Sequence, residues 1–146
     1  MARPGTIRLL LVDNQPVVCR GLRMWLALEP DLDIVGESDE CADMVPLLDL
    51  ARPDIVLVDL EMTRSGGMTI LAALRAAKPD LPVVVLSLHD DIETRARARL
   101  AGVAAFVAKH DVASRLLATI RTVARLHQCG GHSAGGPATT QSATNG

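Results

Sequence analysis

Five short apolar runs alternate with five segments of helical periodicity along this chain, and this alternation is its strongest constraint on the fold. The runs predicted as strands cover residues 7–12, 32–37, 55–59, 81–86 and 103–108. The third run is apolar on both faces, which is typical of a strand covered by helices above and below. Strands that alternate with helices form a parallel sheet with helices on both faces. We therefore predict an α/β domain with a doubly wound, five-stranded parallel sheet.

Pro-Asp dipeptides mark three junctions at which a helical pattern ends and a strand pattern follows. Their prolines are Pro30, Pro53 and Pro79. Because proline lacks a backbone N–H and collides with the preceding turn, each of these residues ends a helix. The predicted helices cover residues 16–28, about 40–51, 68–77, 92–101 (with Gly102 as its cap) and 112–127.

The composition changes after residue 127. Residues 128–146 are rich in Gly, Ser, Thr and Ala and show no periodicity. Such a segment cannot bury enough apolar surface to fold and is typical of a flexible tail or linker. We therefore predict one domain over residues 1–127, followed by a disordered tail or linker over residues 128–146.

Composition and charge argue against several classes of function. The formal net charge of −2 provides no basic face, so we do not expect this segment to bind nucleic acid. We find neither a signal peptide pattern nor an apolar run long enough to cross a bilayer, and we expect no membrane association. The three cysteines are scattered and odd in number, which favours a reducing compartment. We therefore expect a cytoplasmic protein.

Polar side chains follow four of the predicted strands, and they are Asp13 with Asn14, Asp59, Ser87 and Lys109. Because the carboxyl ends of the strands in a doubly wound sheet meet at one crevice, we expect these side chains to lie together. Asp13 and Asp59 offer oxygen ligands to Mg²⁺, whereas Asn14 could act as a helix cap, as a ligand, or as both. Lys109 and Ser87 can bind phosphoryl oxygens. Asp59 can then act as a nucleophile that forms an acyl phosphate.

Four short motifs occur in the order and spacing of a known family. They are Leu11-Val12-Asp13-Asn14-Gln15-Pro16-Val17-Val18, Arg52-Pro53-Asp54-Ile55-Val56-Leu57-Val58-Asp59-Leu60-Glu61-Met62, Val83-Val84-Val85-Leu86-Ser87 and Phe106-Val107-Ala108-Lys109. Over about residues 6–127 the chain resembles the receiver domain of bacterial two-component response regulators. It is most similar to the branch that usually carries a C-terminal helix-turn-helix domain of the NarL/LuxR type. The resemblance implies a flavodoxin-like fold with five helices and the strand order 2-1-3-4-5.

The resemblance also implies a role for each residue of the predicted site. Asp59 corresponds to the phospho-acceptor, and Lys109 and Ser87 correspond to the groups that bind the phosphoryl group. The implied Mg²⁺ ligands are Asp13, Asp59 and the backbone carbonyl of Glu61.

Signalling roles follow from the same resemblance. A sensor histidine kinase would phosphorylate the chain, after which Ser87 and Phe106 would change position as the switch residues. The protein would form a homodimer. It would control transcription by binding DNA only through a C-terminal effector domain that this chain lacks.

One departure from the family pattern and one similarity to another family keep other functions open. Asn14 replaces the second acidic metal ligand, so we expect weakened Mg²⁺ binding. A receiver-fold module that binds a protein or a small ligand without phosphorylation is therefore an alternative. The loop from Asp59 to Thr63 is also similar to the nucleophile loop of haloacid-dehalogenase phosphatases, but Glu61 stands where those enzymes have an acid-base Asp. We expect no enzymatic activity beyond self-phosphorylation and autodephosphorylation at Asp59.

Overall fold

The structure, a computed structural model, describes residues 5–13, 16–38, 41–61 and 67–135. Its strands are β1 (Ile7–Val12), β2 (Leu32–Ser38), β3 (Ile55–Asp59), β4 (Val83–Ser87) and β5 (Ala105–Ala108). They form one five-stranded sheet in the order β2-β1-β3-β4-β5, and every neighbouring pair is parallel. The predicted fold and strand order are confirmed, although β4 and β5 each begin two residues later than predicted.

The α-helices of the described part are α1 (Pro16–Leu26), α2 (Cys41–Ala51), α3 (Gly67–Ala77), α4 (Ile92–Leu100) and α5 (Leu117–Gly135). A 3₁₀ turn (Lys109–Asp111) and a π-helical turn (Val112–Leu116) precede α5. The prediction of a regular α-helix from residue 112 is therefore wrong for its first residues, because apolar spacing alone does not distinguish these hydrogen-bond patterns. None of the helices described is long and apolar enough to cross a membrane.

The last helix also ends later than predicted. Its backbone remains helical to Gly135, whereas the sequence predicted an end at residue 127. Glycine lowers helix propensity but still donates and accepts backbone hydrogen bonds, and Pro137 is the first later residue that lacks an N–H. Residues 136–146 of the predicted tail lie outside the described residues, and the division of the chain at residue 127 stays a prediction.

Gly102 ends α4 in the way that the sequence predicts. Its φ angle is 85°, a left-handed conformation that costs glycine little. Its N–H donates to the carbonyl of Arg99 at 2.9 Å, and the N–H of Val103 donates to the carbonyl of Ala98 at 3.4 Å. These two bonds satisfy carbonyls that the end of a helix leaves without intrahelical partners.

Two hydrophobic clusters pack on the two faces of the sheet. Along β1 the side chains alternate, so that Leu9 and Leu11 join one cluster and Leu10 and Val12 join the other. The first cluster includes buried residues of α1 and α5, and the second includes buried residues of α2 and α3. All five residues of β3 are buried, as predicted for the central run. This packing holds β3, and with it Asp59, at the middle of the sheet.

The guanidinium group of Arg121 connects α5 to the loop before β2. Arg121 donates from Nε to Asp31 Oδ2 at 2.8 Å and from Nη2 to Asp31 Oδ1 at 2.9 Å. Its Nη2 also donates to Glu29 Oε1 at 2.7 Å. The hydrogen bonds from Arg121 lower the pKa of Asp31, since they stabilise its charged form.

Replacing Arg121 with Gln is expected to lower the free energy of unfolding at pH 7 by about 1 kcal/mol, because water already screens this partly exposed cluster. The wild-type contribution is present above about pH 3.9, the ordinary pKa of Asp, and is lost as the pH falls through the lower pKa of folded Asp31. Urea unfolding of both proteins from pH 7 to pH 2.5 measures the difference. A difference that stays constant over this range would contradict the assignment.

Candidate functional site

The register of the sheet brings the predicted site residues to one edge. Val12 pairs with Val58, so Asp13 and Asp59 follow at the ends of neighbouring strands. Ser87 pairs with Ala108, and Lys109 comes directly after that pair. The structure thus places Asp13, Asp59, Ser87 and Lys109 at the carboxyl edge, as the strand pattern predicts. Asn14, the other candidate ligand, lies outside the described residues.

Asp59 is the last residue of β3, and only 3% of it is exposed. Its Oδ2 accepts a hydrogen bond from Lys109 Nζ at 2.6 Å. Its Oδ1 accepts from the backbone N–H of Glu61 at 2.8 Å. Both carboxylate oxygens therefore have a donor, which fixes the orientation of the group at the edge of the sheet.

Lys109 lies between two carboxylates. Its ammonium is 2.6 Å from Asp59 Oδ2 and 3.0 Å from Glu61 Oε1, and 17% of its side chain is exposed. Burial disfavours the charged ammonium, but the hydrogen bonds to Asp59 and Glu61 outweigh it and raise the pKa of Lys109. The site therefore holds a positive charge at neutral pH beside its most buried carboxylate.

The side chain of Glu61 belongs to the site as well. We expected only its backbone carbonyl to contribute, yet its carboxylate turns back over the ends of β3 and β4. Oε2 accepts from Ser87 Oγ at 2.7 Å, and Oε1 accepts from the N–H of Leu88 at 2.8 Å and from Lys109. Burial would raise the pKa of Glu61, but the bonds from Ser87, Leu88 and Lys109 more than offset it, so the pKa is lowered. The available sequence signal was the position of Glu61 two residues after Asp59, on the same turn.

Ser87 is fully buried at the end of β4. Its hydroxyl donates to Glu61 and accepts from the backbone N–H of His89 at 3.0 Å. The hydroxyl therefore already points into the site toward the Glu61 carboxylate. A serine has only one hydroxyl hydrogen to donate, so any other acceptor at this position must replace Glu61.

Phe106 lies on β5 and is partly buried against the cluster formed with α2 and α3. The guanidinium carbon of Arg95 lies 4.6 Å from the centroid of its ring, a cation–π geometry. Arg95 also donates to Asp90 Oδ1 at 2.5 Å. Arg95 thus connects α4 to the predicted switch aromatic on β5.

The oxygen donors at this edge fit a hard divalent cation. Asp13 is 9% exposed, and its N–H donates to the carbonyl of Ser38 at 3.0 Å. Asp13 follows β1 and Asp59 ends the neighbouring β3, so both carboxylates belong to the same edge of the sheet. Among the residues that the structure describes, no group of three or more His, Cys, Asp or Glu side chains is arranged to hold a metal. The carboxylates of Asp13 and Asp59 are of the ligand type that Mg²⁺ prefers, and Mg²⁺ usually completes its coordination with several waters.

Comparison with known proteins identifies relatives of this arrangement. The profile of the family described as "Response regulator receiver domain" matches residues 9–121. The transcriptional activator DevR/DosR of Mycobacterium tuberculosis is 31% identical over 80% of this chain and 54% of its own length. The transcriptional regulatory protein DegU of Brevibacillus brevis is 27% identical over 82% of this chain and 50% of its own length. The chain thus spans about half the length of these curated relatives.

Solved structures show the same fold. A two-component response regulator of the LuxR family from Aurantimonas sp. superimposes with a TM-score of 0.77 and 25% identity, covering 82% of this chain and 86% of that one. The signal receiver domain of the putative response regulator NarL from Mycobacterium tuberculosis gives a TM-score of 0.69 and 27% identity, covering 86% and 98%. The relatives and the structural neighbours therefore agree on the same type of domain.

Proposed function

This chain belongs to the response regulator receiver domain family, and from that premise we propose that Asp59 is its phospho-acceptor. The observation that carries the proposal is the contact between Lys109 Nζ and Asp59 Oδ2 at 2.6 Å, at the edge where Asp13 and Ser87 also lie. A buried nucleophile beside an ammonium and a hydroxyl is the arrangement that phosphoryl transfer to a carboxylate requires.

In the proposed reaction, a carboxylate oxygen of Asp59 attacks the phosphorus of a phosphohistidine on a sensor histidine kinase. An O–P bond forms as the P–N bond breaks, and the electron pair of that bond leaves with the imidazole. Lys109 and Ser87 bind the oxygens of the transferred group through charge and a hydrogen bond. Asp13, Asp59 and the carbonyl of Glu61 would hold Mg²⁺, which offsets the repulsion between the carboxylate and the phosphoryl donor.

We further propose that the phosphoryl group acts as a switch. Ser87 and Phe106 would move toward the modified Asp59. This movement would shift the equilibrium between two conformations of the face formed by α4, β5 and α5. Homodimerisation and control of transcription through a C-terminal DNA-binding domain are the proposed outputs. The names of DegU and DevR/DosR, both transcriptional regulators about twice as long as the matched region, support this proposal.

Acetyl phosphate tests the phospho-acceptor directly. Wild-type protein incubated with acetyl phosphate and Mg²⁺ is expected to gain the mass of one phosphoryl group, because acetate leaves as the O–P bond to Asp59 forms. The Asp59→Asn variant is expected to gain none, and intact-mass spectrometry measures both. Asp80→Asn, which removes an exposed carboxylate from the opposite edge, serves as the matched control and should react like the wild type. An adduct that persists in Asp59→Asn would contradict the assignment.

A second function has specific support, namely a receiver-fold module that works without phosphorylation. The Glu61 carboxylate already binds Ser87 and Lys109, the groups that a phosphoryl group would otherwise draw together. Binding of an effector partner by the Asp59→Asn variant with wild-type affinity would favour this alternative.

A further inference from the structure

The Glu61 carboxylate accepts hydrogen bonds from three donors of different kinds. They are the hydroxyl of Ser87 at 2.7 Å, the N–H of Leu88 at 2.8 Å and the ammonium of Lys109 at 3.0 Å. Only 17% of the side chain is exposed, so these three protein donors stabilise the carboxylate in place of most of its water. An anion thus already occupies the donors at the ends of β4 and β5.

A phosphoryl group on Asp59 would need the same donors. It carries three terminal oxygens and a negative charge, and it would be attached to a carboxylate that already contacts Lys109. Ser87 has one hydroxyl hydrogen and Leu88 has one N–H, so neither can donate a full hydrogen bond to two acceptors at once. Two anions held by one ammonium would also repel each other strongly in a site with little water.

The Glu61 side chain has space into which it could move. Together with Thr94 and Arg97 of α4, it lines a cavity of about 270 Å³ on the side of the site toward α3. Arg97 contributes a positively charged residue to the lining of this cavity, and Ser87 borders it as well. The cavity thus offers the carboxylate an alternative position near a countercharge.

We propose that the Glu61 carboxylate is a built-in occupant of the phosphoryl-binding donors, and that it must leave them when Asp59 is phosphorylated. This inference rests on the proposed phospho-acceptor role of Asp59. Glu61 acts in it as a positioning residue, since it holds Ser87 and Lys109 in place without reacting. In the unmodified protein it turns the Ser87 hydroxyl inward. It opposes the incoming phosphoryl group because it occupies the hydrogen-bond donors that this group needs and because its negative charge repels a second anion.

Substitution of Glu61 tests the inference through the initial rate of phosphorylation by acetyl phosphate with Mg²⁺, followed by intact mass. Glu61→Ala is expected to react about ten-fold faster than the wild type, because the competing charge-assisted hydrogen bonds are gone. Glu61→Gln keeps the size of the side chain and removes its charge, so its rate should lie between the two. If Glu61 only supported the fold of the site, both substitutions would slow the reaction instead.

Glu93→Gln is the matched control, because it removes one negative charge from the exposed first turn of α4. Its rate should equal that of the wild type. Thermal unfolding measurements verify that every variant is folded. If Glu61→Ala does not fold, the rate of Glu61→Gln alone decides the test. The inference would be overturned if the folded Glu61 variants reacted no faster than the wild type. In that case the adduct on Asp59 would still support the proposed function. Absence of an adduct on all the proteins would overturn both.

Discussion

Replacing Lys109 with Met is expected to lower the free energy of unfolding by about 3 kcal/mol at pH 7. The ammonium lies 2.6 Å from Asp59 Oδ2 and 3.0 Å from Glu61 Oε1. Methionine keeps most of the unbranched apolar side chain but leaves these two carboxylates adjacent without a countercharge. Because Asp59 is only 3% exposed, water cannot reach the group well enough to replace the lost ammonium.

Urea unfolding measures this effect, and two further variants test its cause. Lys78→Met removes a lysine that contacts Asp49 at 2.9 Å on the surface, where the side chains are 46% and 68% exposed. Its cost should stay below about 1 kcal/mol. Adding Asp59→Asn to Lys109→Met should restore at least half of the lost stability, since it removes the uncompensated charge. Equal costs for Lys109→Met and Lys78→Met would contradict the buried pairing.

The difference in the free energy of unfolding between the wild type and Lys109→Met should depend on pH in a defined direction. The pKa of folded Lys109 is raised, so its contribution is fully present below about pH 10.4 and is lost as the pH rises through the folded value. The pKa of folded Glu61 is lowered, so its contribution is present above about pH 4.3 and is lost as the pH falls through the folded value. The difference between wild type and Lys109→Met should therefore be largest between these limits.

The sequence predicted which residues lie at the site, because their positions depend on hydrophobic periodicity and on strand order. A run that is apolar on both faces must be central, and a carboxylate at its end must lie at the crevice of a doubly wound sheet. Asp13, Asp59, Ser87 and Lys109 could therefore be placed from their positions after strands alone. The first residues of β4 and β5 and both ends of α5 were less predictable, because backbone hydrogen bonding rather than side-chain pattern determines them.

The Glu61 contacts could not be predicted in the same way. A glutamate after a strand usually points into water, and its inward rotamer depends on donors from two other elements, Ser87 with Leu88 and Lys109. The cation–π contact between Arg95 and Phe106 is similar, since a helix residue and a strand residue must meet at the correct register. Both contacts depend on packing between elements, which no local pattern encodes.

Gly67→Ala is expected to lower the free energy of unfolding by about 3 kcal/mol, the upper end of the usual cost of overpacking. A Cβ atom at this position would lie 2.5 Å from Leu60 Cα and 2.7 Å from the carbonyl oxygen of Leu60. The obstacle is backbone, so no side-chain rotation relieves it. The N–H of Leu60 donates to the carbonyl of Leu86 at 2.9 Å, which holds this backbone to the edge of the sheet.

Since Leu60 connects Asp59 to Glu61, the strain of Gly67→Ala should also reach the site. We expect slower phosphorylation by acetyl phosphate together with the loss of stability measured by urea unfolding. Gly21→Ala is the matched control, because Gly21 lies inside α1 and a Cβ there would meet no atom within 4 Å. Alanine at that position should raise the free energy of unfolding by about 0.5–1 kcal/mol, since it has the higher helix propensity. Gains of similar size at both positions would show that α3 can move away from Leu60, and that this contact does not fix the distance between α3 and Asp59.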